Sequence, residues 1–278
     1  MKTILVSLND LDRAPATATA AVALAKAHDA HLIGQFVVPG LRVYPVVGIQ
    51  LPPEVLTRHR RRIAAQGREV EEMFHKARAA EGVRGEWLQT DSASPLIADD
   101  VIAHARRADL VIAAQPSGRE DALIERDFAE RLVLESGRPV LFIPRAGEYG
   151  DFGHRVVVGW NARREATRAV HDALPLLAVA REVRLAWVDP QEEPEIAGDL
   201  AGAELAGALA RHGVNAVVDT VVSGSLEAGE VLLNHVADSG ADMLVMGAWG
   251  HSRLREYVFG GATAHVMRHM TVPTLFSH

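Results

Sequence analysis

The segment Met243-Leu-Val-Met-Gly-Ala-Trp-Gly250, followed after nine residues by Gly260-Gly-Ala-Thr263, decides the fold and points to a ligand. The apolar residues at its start predict a buried strand, and residues 264–269 predict a helix. Glycine lets the backbone approach a ligand closely, and a helix start offers unpaired N–H groups at the positive end of its dipole. A strand, a glycine-lined loop and a helix in this order therefore predict an anion-binding site.

Several segments of the first half of the chain recur, in the same order, in the second half. Their regular spacing indicates a tandem duplication, joined by the glycine-rich linker 146–154. The sequence therefore predicts two domains, residues 1–147 and 154–278. The matching segments are 4–9 with 156–161, 31–38 with 183–188, 108–112 with 241–245, and 137–143 with 271–277.

Each half contains five short apolar strands separated by helices, the first of which are predicted over 14–28 and 162–180. Continuous apolar strands are typical of sheets that are covered by helices on both faces. The predicted fold class is α/β, with two tandem doubly wound parallel five-stranded sheets flanked by helices. Ligands bind such sheets outside the carboxyl ends of the strands, where Asn161 and Gly247 are expected.

Residues 37–56 form an additional segment of the first half and contain four prolines. Because proline restricts the backbone and lacks an N–H donor, this spacing argues against a regular element. We predict a long surface loop, with a mobile lid or a partner-binding loop as the alternative.

Composition argues against several classes of function. The chain has 278 residues, a formal net charge of −7 and no cysteine. The acidic balance disfavours a general nucleic-acid role, and the lack of cysteine removes disulfides, thiolate nucleophiles and cysteine metal sites. No stretch approaches the roughly 18 apolar residues of a membrane span. The first residues lack a signal-peptide pattern, so we expect a cytoplasmic protein.

Residues 245–260 resemble the nucleotide-binding signature of the universal stress protein family, Gly-x2-Gly-x9-Gly followed by Ser or Thr. Gly247, Gly250 and Gly260 match the three glycines. The resemblance covers both halves of the chain and is strongest over 154–278. It implies the fold of the adenine nucleotide α-hydrolases and a stress-response protein that binds an adenine nucleotide and acts as a sensor or binding protein.

Two positions depart from the family pattern. Gly261 stands where the family has Ser or Thr, although Thr263 offers a hydroxyl two residues further on. Asn9 and Asn161 stand where the family has Asp at the end of the first strand. An amide can still form hydrogen bonds with a base or a ribose, as both donor and acceptor.

The resemblance implies ATP as the ligand, with Mg²⁺ accompanying ATP, or else AMP or another adenine nucleotide. Asn161 and Val188 would lie against the adenosine, and the glycines and the helix start would lie near ribose and phosphates. The implied ligand-binding residues are Asn161, Val188, Met246, Gly247, Gly250, Gly260, Gly261, Ala262 and Thr263.

Four further residues near this site have two interpretations each. Arg253 and Arg255 either add positive charge for the phosphates or are solvated loop residues. Trp160 and Trp249 either stack on an adenine or fill the pocket themselves.

The first half lacks the glycine pattern, since residues 113–118 contain no spaced glycines. Its acidic residues in the same region would repel a polyphosphate. We therefore expect that the first half binds no nucleotide and serves as a structural partner or regulatory module. These acidic residues are Glu120, Asp121, Glu125 and Asp127.

Two other functions compete with nucleotide sensing. A slow nucleotide hydrolase on the same fold would need a metal-binding carboxylate and a water-activating residue, for which Glu256 and His251 are the candidates. A nucleotide-free interaction protein would have a closed or repurposed pocket. His265 and His269 have the spacing of helical metal ligands but lack the Glu of a His-Glu-x-x-His motif, so we predict neither a metal site nor a catalytic residue.

The last strand of each half would leave an exposed apolar edge, which favours pairing. We expect residues 140–143 and 274–276 to pair within one chain as an internal pseudo-dimer. A homodimer of the whole chain is a further expectation.

Overall fold

The structure is a computed structural model that describes residues 1–41, 53–117, 123–189, 199–250 and 261–278. The chain divides into two compact units, Met1–Ser136 and Gly137–His278. The predicted domains, 1–147 and 154–278, follow the sequence repeat and stay a prediction. Among the described residues, no helix has the length and apolar character needed to span a membrane.

The first unit contains a parallel sheet with the strand order β3-β2-β1-β4. Strand β1 lies between β2 and β4, and its residues 4–6 are completely buried, as expected for apolar strands with helices on both sides. The strands are β1 (Thr3–Ser7), β2 (His31–Val38), β3 (Gly85–Asp91) and β4 (Leu110–Ala114). The helices are α1 (Ala14–Ala27), α2 (Pro53–Ala80), α3 (Ala98–Ala105) and α4 (Phe128–Glu135).

The second unit contains a sheet with the strand order β5-β10-β9-β6-β7-β8, which is parallel except for β5. The strands are β5 (Val140–Ile143), β6 (Arg155–Trp160), β7 (Glu182–Val188), β8 (Ala216–Val221), β9 (Met243–Gly247) and β10 (Thr274–Ser277). The helices are α5 (Arg164–Leu177), α6 (Asp199–Ala210), α7 (Ala228–Asp238) and α8 (Ala262–His269). The alternation of strands and flanking helices in both units confirms the predicted α/β class.

The final strand of the first repeat, β5, pairs with the final strand of the second, β10. The pairing is antiparallel, with Leu141 opposite Leu275. The rings of Phe142 and Phe276 meet edge to face, with centroids 6.0 Å apart. Aromatic contacts of this geometry stabilise a strand pair beyond the apolar area that they bury. The predicted pairing of the two final strands is therefore confirmed, and it explains why β5 belongs to the second compact unit.

Several predicted element boundaries were wrong. Helix α5 begins at Arg164 instead of residue 162, because Ala162 has a φ of 56°, which a right-handed helix does not accommodate. Helix α8 begins at Ala262, two residues before its predicted start. The ends of the predicted loop 37–56 belong to β2 and α2, where Pro53 takes the first helical position that suits proline. The rest of that segment, 42–52, lies outside the described residues.

Candidate functional site

A cavity of about 620 Å³ lies at the carboxyl ends of β6, β7 and β9 in the second unit. Parallel pairing places these three strand ends side by side, where open α/β sheets bind ligands. Every predicted site residue that the structure describes lines this cavity; Gly260, like Arg253 and Arg255, lies outside the described residues. The predicted residues brought together here are Asn161, Val188, Met246, Gly247, Gly250, Gly261, Ala262 and Thr263.

Part of the cavity wall is apolar. Ala186 of β7, Leu232 of α7 and Met246 of β9 contribute to it. Gly159 of β6 faces Leu232 so closely that an added Cβ would lie 3.2 Å from a Leu232 methyl carbon. A small residue at 159 therefore lets the leucine pack over the strand, which creates an apolar surface suited to a flat ring.

Three helices begin at the same cavity. Residues of their first turns line it, namely Glu165 of α5, Ala228 of α7 and Ala262 of α8. None of the three N-cap residues caps its helix with its own side chain. Helix starts carry unpaired N–H groups and the positive end of the helix dipole, so their convergence favours a bound anion.

Helices α7 and α8 approach closely because Gly229 has no side chain. A Cβ at Gly229 would lie 2.8 Å from the carbonyl oxygen of Ala262. The glycine therefore brings two of the helix starts together. This contact was not predicted from the glycine string, which lies on a different segment of the chain.

The first glycine of the string, Gly247, is required by the protein itself. A Cβ at this position would lie 2.5 Å from the backbone nitrogen of Ala166 and 2.5 Å from the carbonyl carbon of Glu165. The end of β9 thus packs directly on the first turn of α5. Glycine was predicted at this position because it lets the backbone approach a ligand closely. The structure shows that Gly247 also lets the backbone of β9 approach α5.

Hydrogen bonds hold the loop after β9 in place. The N–H of Ala248 donates to the carbonyl of Ser277 at 2.8 Å. The N–H of Trp249 donates to the hydroxyl oxygen of Thr263 at 3.1 Å. Trp249 has a φ of 51°, a left-handed conformation that non-glycine residues adopt only when their surroundings impose it. The loop is therefore anchored to both β10 and α8.

Val188 is positioned by the residue that follows it. Asp189 also has a left-handed backbone, with a φ of 48°, and its carboxylate accepts a hydrogen bond from the N–H of Ser223 at 3.0 Å. Hydrogen bonds from the hydroxyl and the backbone N–H of Ser223 lower the pKa of Asp189, because they stabilise the ionised carboxylate. The end of β7 is thereby fixed beside the cavity.

Comparison with known proteins identifies this strand–loop–helix arrangement. Residues 154–278 match the model of the universal stress protein family. Over these residues, which make up less than half of the chain, the protein is similar to the universal stress protein family. The residues that line the cavity all lie within the matched segment.

The chain is also similar to a curated protein and to solved structures. Universal stress protein Slr1230 of Synechocystis is 34% identical over 84 residues, which span 30% of this chain and 28% of that protein. A universal stress protein from Archaeoglobus fulgidus has a TM-score of 0.73 at 14% identity, covering 99% of this chain and 95% of that one. A solved protein from Pseudomonas aeruginosa has a TM-score of 0.56 at 16% identity, covering 100% of this chain and 93% of that one. At these identities the solved structures show the shared fold.

The two asparagines at the ends of β1 and β6, Asn9 and Asn161, have different environments. Asn9 is 1% exposed, and its amide both donates to the carbonyl of Val37 at 2.7 Å and accepts from the N–H of Val37 at 3.0 Å. Asn161 is exposed, and its side-chain oxygen accepts from the N–H of Arg163 at 3.1 Å. Only the amide of Asn161 lines the large cavity, so only this asparagine has a side chain placed to meet a ligand.

In the first unit, the start of α3 differs from the start of α7, its counterpart in the second unit. The carboxylate of Glu125, which is 5% exposed, accepts hydrogen bonds from the N–H groups of Ile97 at 3.0 Å and Ala98 at 2.7 Å. The start of α3 is therefore already occupied by an anion that belongs to the protein. Glu120 and Asp121, predicted beside Glu125, lie outside the described residues.

A smaller cavity of about 220 Å³ adjoins Glu125 in the first unit. Its lining includes residues 113–117, which form the end of β4 and the start of the loop that follows it. In the repeat, this segment corresponds to the end of β9 and the start of its glycine-containing loop. Asp127 is exposed and is the N-cap residue of α4. The expectation that the first half binds no nucleotide stays a prediction.

Of the two tryptophans predicted near the site, Trp160 is a wall residue. It is 8% exposed and lines the cavity, and its indole N–H has no hydrogen-bond partner among the described residues. Trp249 is not among the described lining residues. The backbone N–H of Trp249 donates to the hydroxyl oxygen of Thr263 and so joins the residues after β9 to α8.

Sequence reasoning missed the residues that α5 and α7 bring to the cavity. No motif pointed to Arg163, Glu165, Glu227 or Leu232, which all line it. The signal that would have found them is positional: a helix that follows a parallel strand begins at the ligand-binding edge of the sheet. Residues at the predicted helix starts were therefore candidates from the outset.

The histidines considered as metal ligands stack on each other. The rings of His265 and His269 have centroids 4.5 Å apart, and Nδ1 of His269 lies 2.9 Å from the carbonyl oxygen of His265. Among the described residues, no group of three or more His, Asp or Glu side chains is arranged to hold a metal ion.

Proposed function

We propose that the second unit binds an adenine nucleotide, with ATP as the expected ligand, and that occupancy of the site acts as a signal in the stress response. The observation that carries the proposal is a single cavity that combines an apolar wall with three helix starts. An apolar wall suits a planar base, and helix starts suit phosphate groups. A volume of about 620 Å³ lies in the usual range for sites that bury a small organic ligand.

The cavity offers groups for each part of such a ligand. Ala186, Leu232 and Met246 provide apolar contacts for the base. The exposed amide of Asn161 provides a donor for the base or the ribose, since its oxygen is already engaged with Arg163. The backbone at Gly261 and Ala262 provides N–H donors for phosphates at the start of α8. AMP or another adenine nucleotide fits the same scheme, and Mg²⁺ would accompany ATP.

We propose a sensor that hydrolyses ATP slowly at most. The two residues that a hydrolase would use, His251 and Glu256, lie outside the described residues. A nucleotide-free interaction protein is the competing function, and the experiment below separates the two.

Isothermal titration calorimetry on the full chain tests the proposal with ATP, AMP and adenosine. We expect one binding site per chain, located in the second unit. Inorganic phosphate is the control ligand and should bind much more weakly, because it lacks the base that the apolar wall would contact. Absence of heat for all three adenine compounds, together with an unchanged melting temperature, would contradict nucleotide binding and favour the interaction protein.

Three further proposals concern the whole chain. Cytoplasmic location, the internal pseudo-dimer and a homodimer stay predictions. Light scattering on the purified chain measures the last of these, and a mass of 30.0 kDa at all concentrations would contradict the homodimer.

A further inference from the structure

Glu165 lies against two of the three glycines of the signature. Its backbone packs on Gly247, as described above, and its side chain reaches toward Gly250. A Cβ at Gly250 would lie 2.9 Å from Oε2 of Glu165. The carboxylate therefore lies beside Gly250, which is proposed to face the phosphates.

The carboxylate of Glu165 has no hydrogen bond or ion pair within the described parts of the chain. Its side chain is half-buried on the wall of the cavity. This contrasts with Glu125 of the first unit, whose carboxylate accepts two backbone hydrogen bonds. A partly desolvated carboxylate without a partner repels further negative charge, unless a cation is placed between the two.

We propose that Glu165 makes polyphosphate binding at this site depend on a divalent cation. The inference rests on the proposed function, since it concerns the phosphates of the same nucleotide. The carboxylate of Glu165 would supply one oxygen ligand to a Mg²⁺ ion that accompanies ATP, and the ion would offset the repulsion between this carboxylate and the phosphates. Mg²⁺ in proteins is commonly bound by one or two carboxylates together with substrate phosphates.

The described protein residues alone do not form a metal site, as they contain no suitable group of three ligating side chains. The cation therefore arrives with the nucleotide and is held only while the nucleotide is bound. The positive ends of the three helix dipoles stabilise the phosphates, and the cation neutralises the repulsion that Glu165 adds.

The cavity supplies a matched control carboxylate. Glu227 also lines it but is exposed at the N-cap position of α7. Solvent and salt screen an exposed charge much more than a half-buried one. Glu227→Gln therefore removes the same charge from the same cavity without removing the proposed cation ligand.

Calorimetry on the full chain compares ATP affinity in Mg²⁺ with that in EDTA, for the wild type, Glu165→Gln and Glu227→Gln. We expect the wild type to bind ATP on the order of tenfold more tightly in Mg²⁺ than in EDTA, as one close charge can produce. In Glu165→Gln the ratio should fall to about threefold or less, because binding in EDTA tightens and binding in Mg²⁺ weakens. Glu227→Gln should keep most of the wild-type ratio.

Adenosine, which carries no phosphate, should bind all three proteins equally and thereby reports that the cavity is intact. Paramagnetic Mn²⁺ gives a second readout: ATP should increase its retention by the wild type but much less by Glu165→Gln. Equal Mg²⁺/EDTA ratios in the wild type and Glu165→Gln would overturn the inference while leaving nucleotide binding in place. Failure of adenosine, AMP and ATP to bind the wild type would instead refute the proposed function on which it rests.

Discussion

The hydroxyl oxygen of Thr263 accepts a hydrogen bond from the backbone N–H of Trp249 at 3.1 Å. This contact joins the loop after β9 to the first turn of α8. Thr263 is 4% exposed, and Trp249 adopts a left-handed backbone. The threonine thus joins the described residues that follow β9 to the start of α8, whether or not it also meets a phosphate.

Replacing Thr263 by valine should weaken ATP binding and destabilise the protein by about 1 kcal/mol, the usual value of one lost hydrogen bond. Valine keeps the shape of threonine but removes the hydroxyl. Thr263→Ser is the control and should retain most of the affinity, because its oxygen can still accept from Trp249. Calorimetry measures the ATP affinity and urea unfolding measures the stability. Equal affinity in all three proteins would contradict a role in binding for the hydrogen bond between Trp249 and Thr263.

Alanine at the first two glycines of the loop should have different consequences. At Gly247 the new Cβ meets backbone atoms of α5, so we expect a loss of about 1–3 kcal/mol of stability. At Gly250 the nearest described atoms belong to the end of the flexible Glu165 side chain, so stability should change by less than about 1 kcal/mol. Thermal melting of the two variants tests this order. If Gly247→Ala melts at the wild-type temperature, α5 can shift away from the added methyl group without loss of stability, and the prediction is contradicted.

Glu125→Ala should destabilise the first unit by about 2 kcal/mol, because the buried N–H groups of Ile97 and Ala98 lose their acceptor. Glu125→Gln keeps one side-chain oxygen and should lose about half as much. Asp127→Asn, at an exposed position on the next helix, is the control and should be close to neutral. Urea unfolding provides the comparison.

Nucleotide binding gives the Glu125 variants a second readout. If the ligand site lies in the second unit, the number of ATP molecules bound per chain should stay the same in Glu125→Ala. A change in that number would contradict the assignment of the site to residues 154–278.

Asn9→Ala and Asn161→Ala exchange the same side chain at corresponding positions of the repeat. Asn9→Ala should cost about 2 kcal/mol and leave ATP affinity unchanged, because its amide satisfies both backbone groups of Val37. Asn161→Ala should cost no more than about 1 kcal/mol, as for a lost helix-cap contact, but should weaken binding. Urea unfolding measures the stability of both variants, and calorimetry measures their ATP affinity. Equal ATP affinity in the two variants would show that the different environments of Asn9 and Asn161 have no consequence for binding.

Much of the fold was predictable because it depends on local pattern. The apolar run at 243–246 became β9, and α1 matches its predicted span to within one residue. The pairing of residues 140–143 with β10 followed from the liability of an exposed apolar edge. The start of α5 was predicted wrongly, since nothing in the residue type of Ala162 indicates its left-handed backbone.

The candidate site was predictable in its position but only partly in its composition. The glycine spacing and the strand order located the cavity, and Asn161 and Val188 line it as the resemblance implied. Glu165 and Glu227 were missed because no local motif distinguishes them from other acidic residues at helix starts. Their distance from the glycine loop along the chain conceals their closeness to it in space.

The sequence by itself therefore predicted the repeat, the order of strands and helices, and the position of the cavity that we propose as the ligand site. These features depend on the periodicity of apolar residues and on the conformational freedom of glycine, which are properties of short segments. The tertiary structure alone decided that Gly247 accommodates α5, that Glu125 occupies the start of α3, and that Glu165 faces Gly250. Such contacts join segments far apart in the chain, and only the packing of helices on the sheet brings them within van der Waals distance.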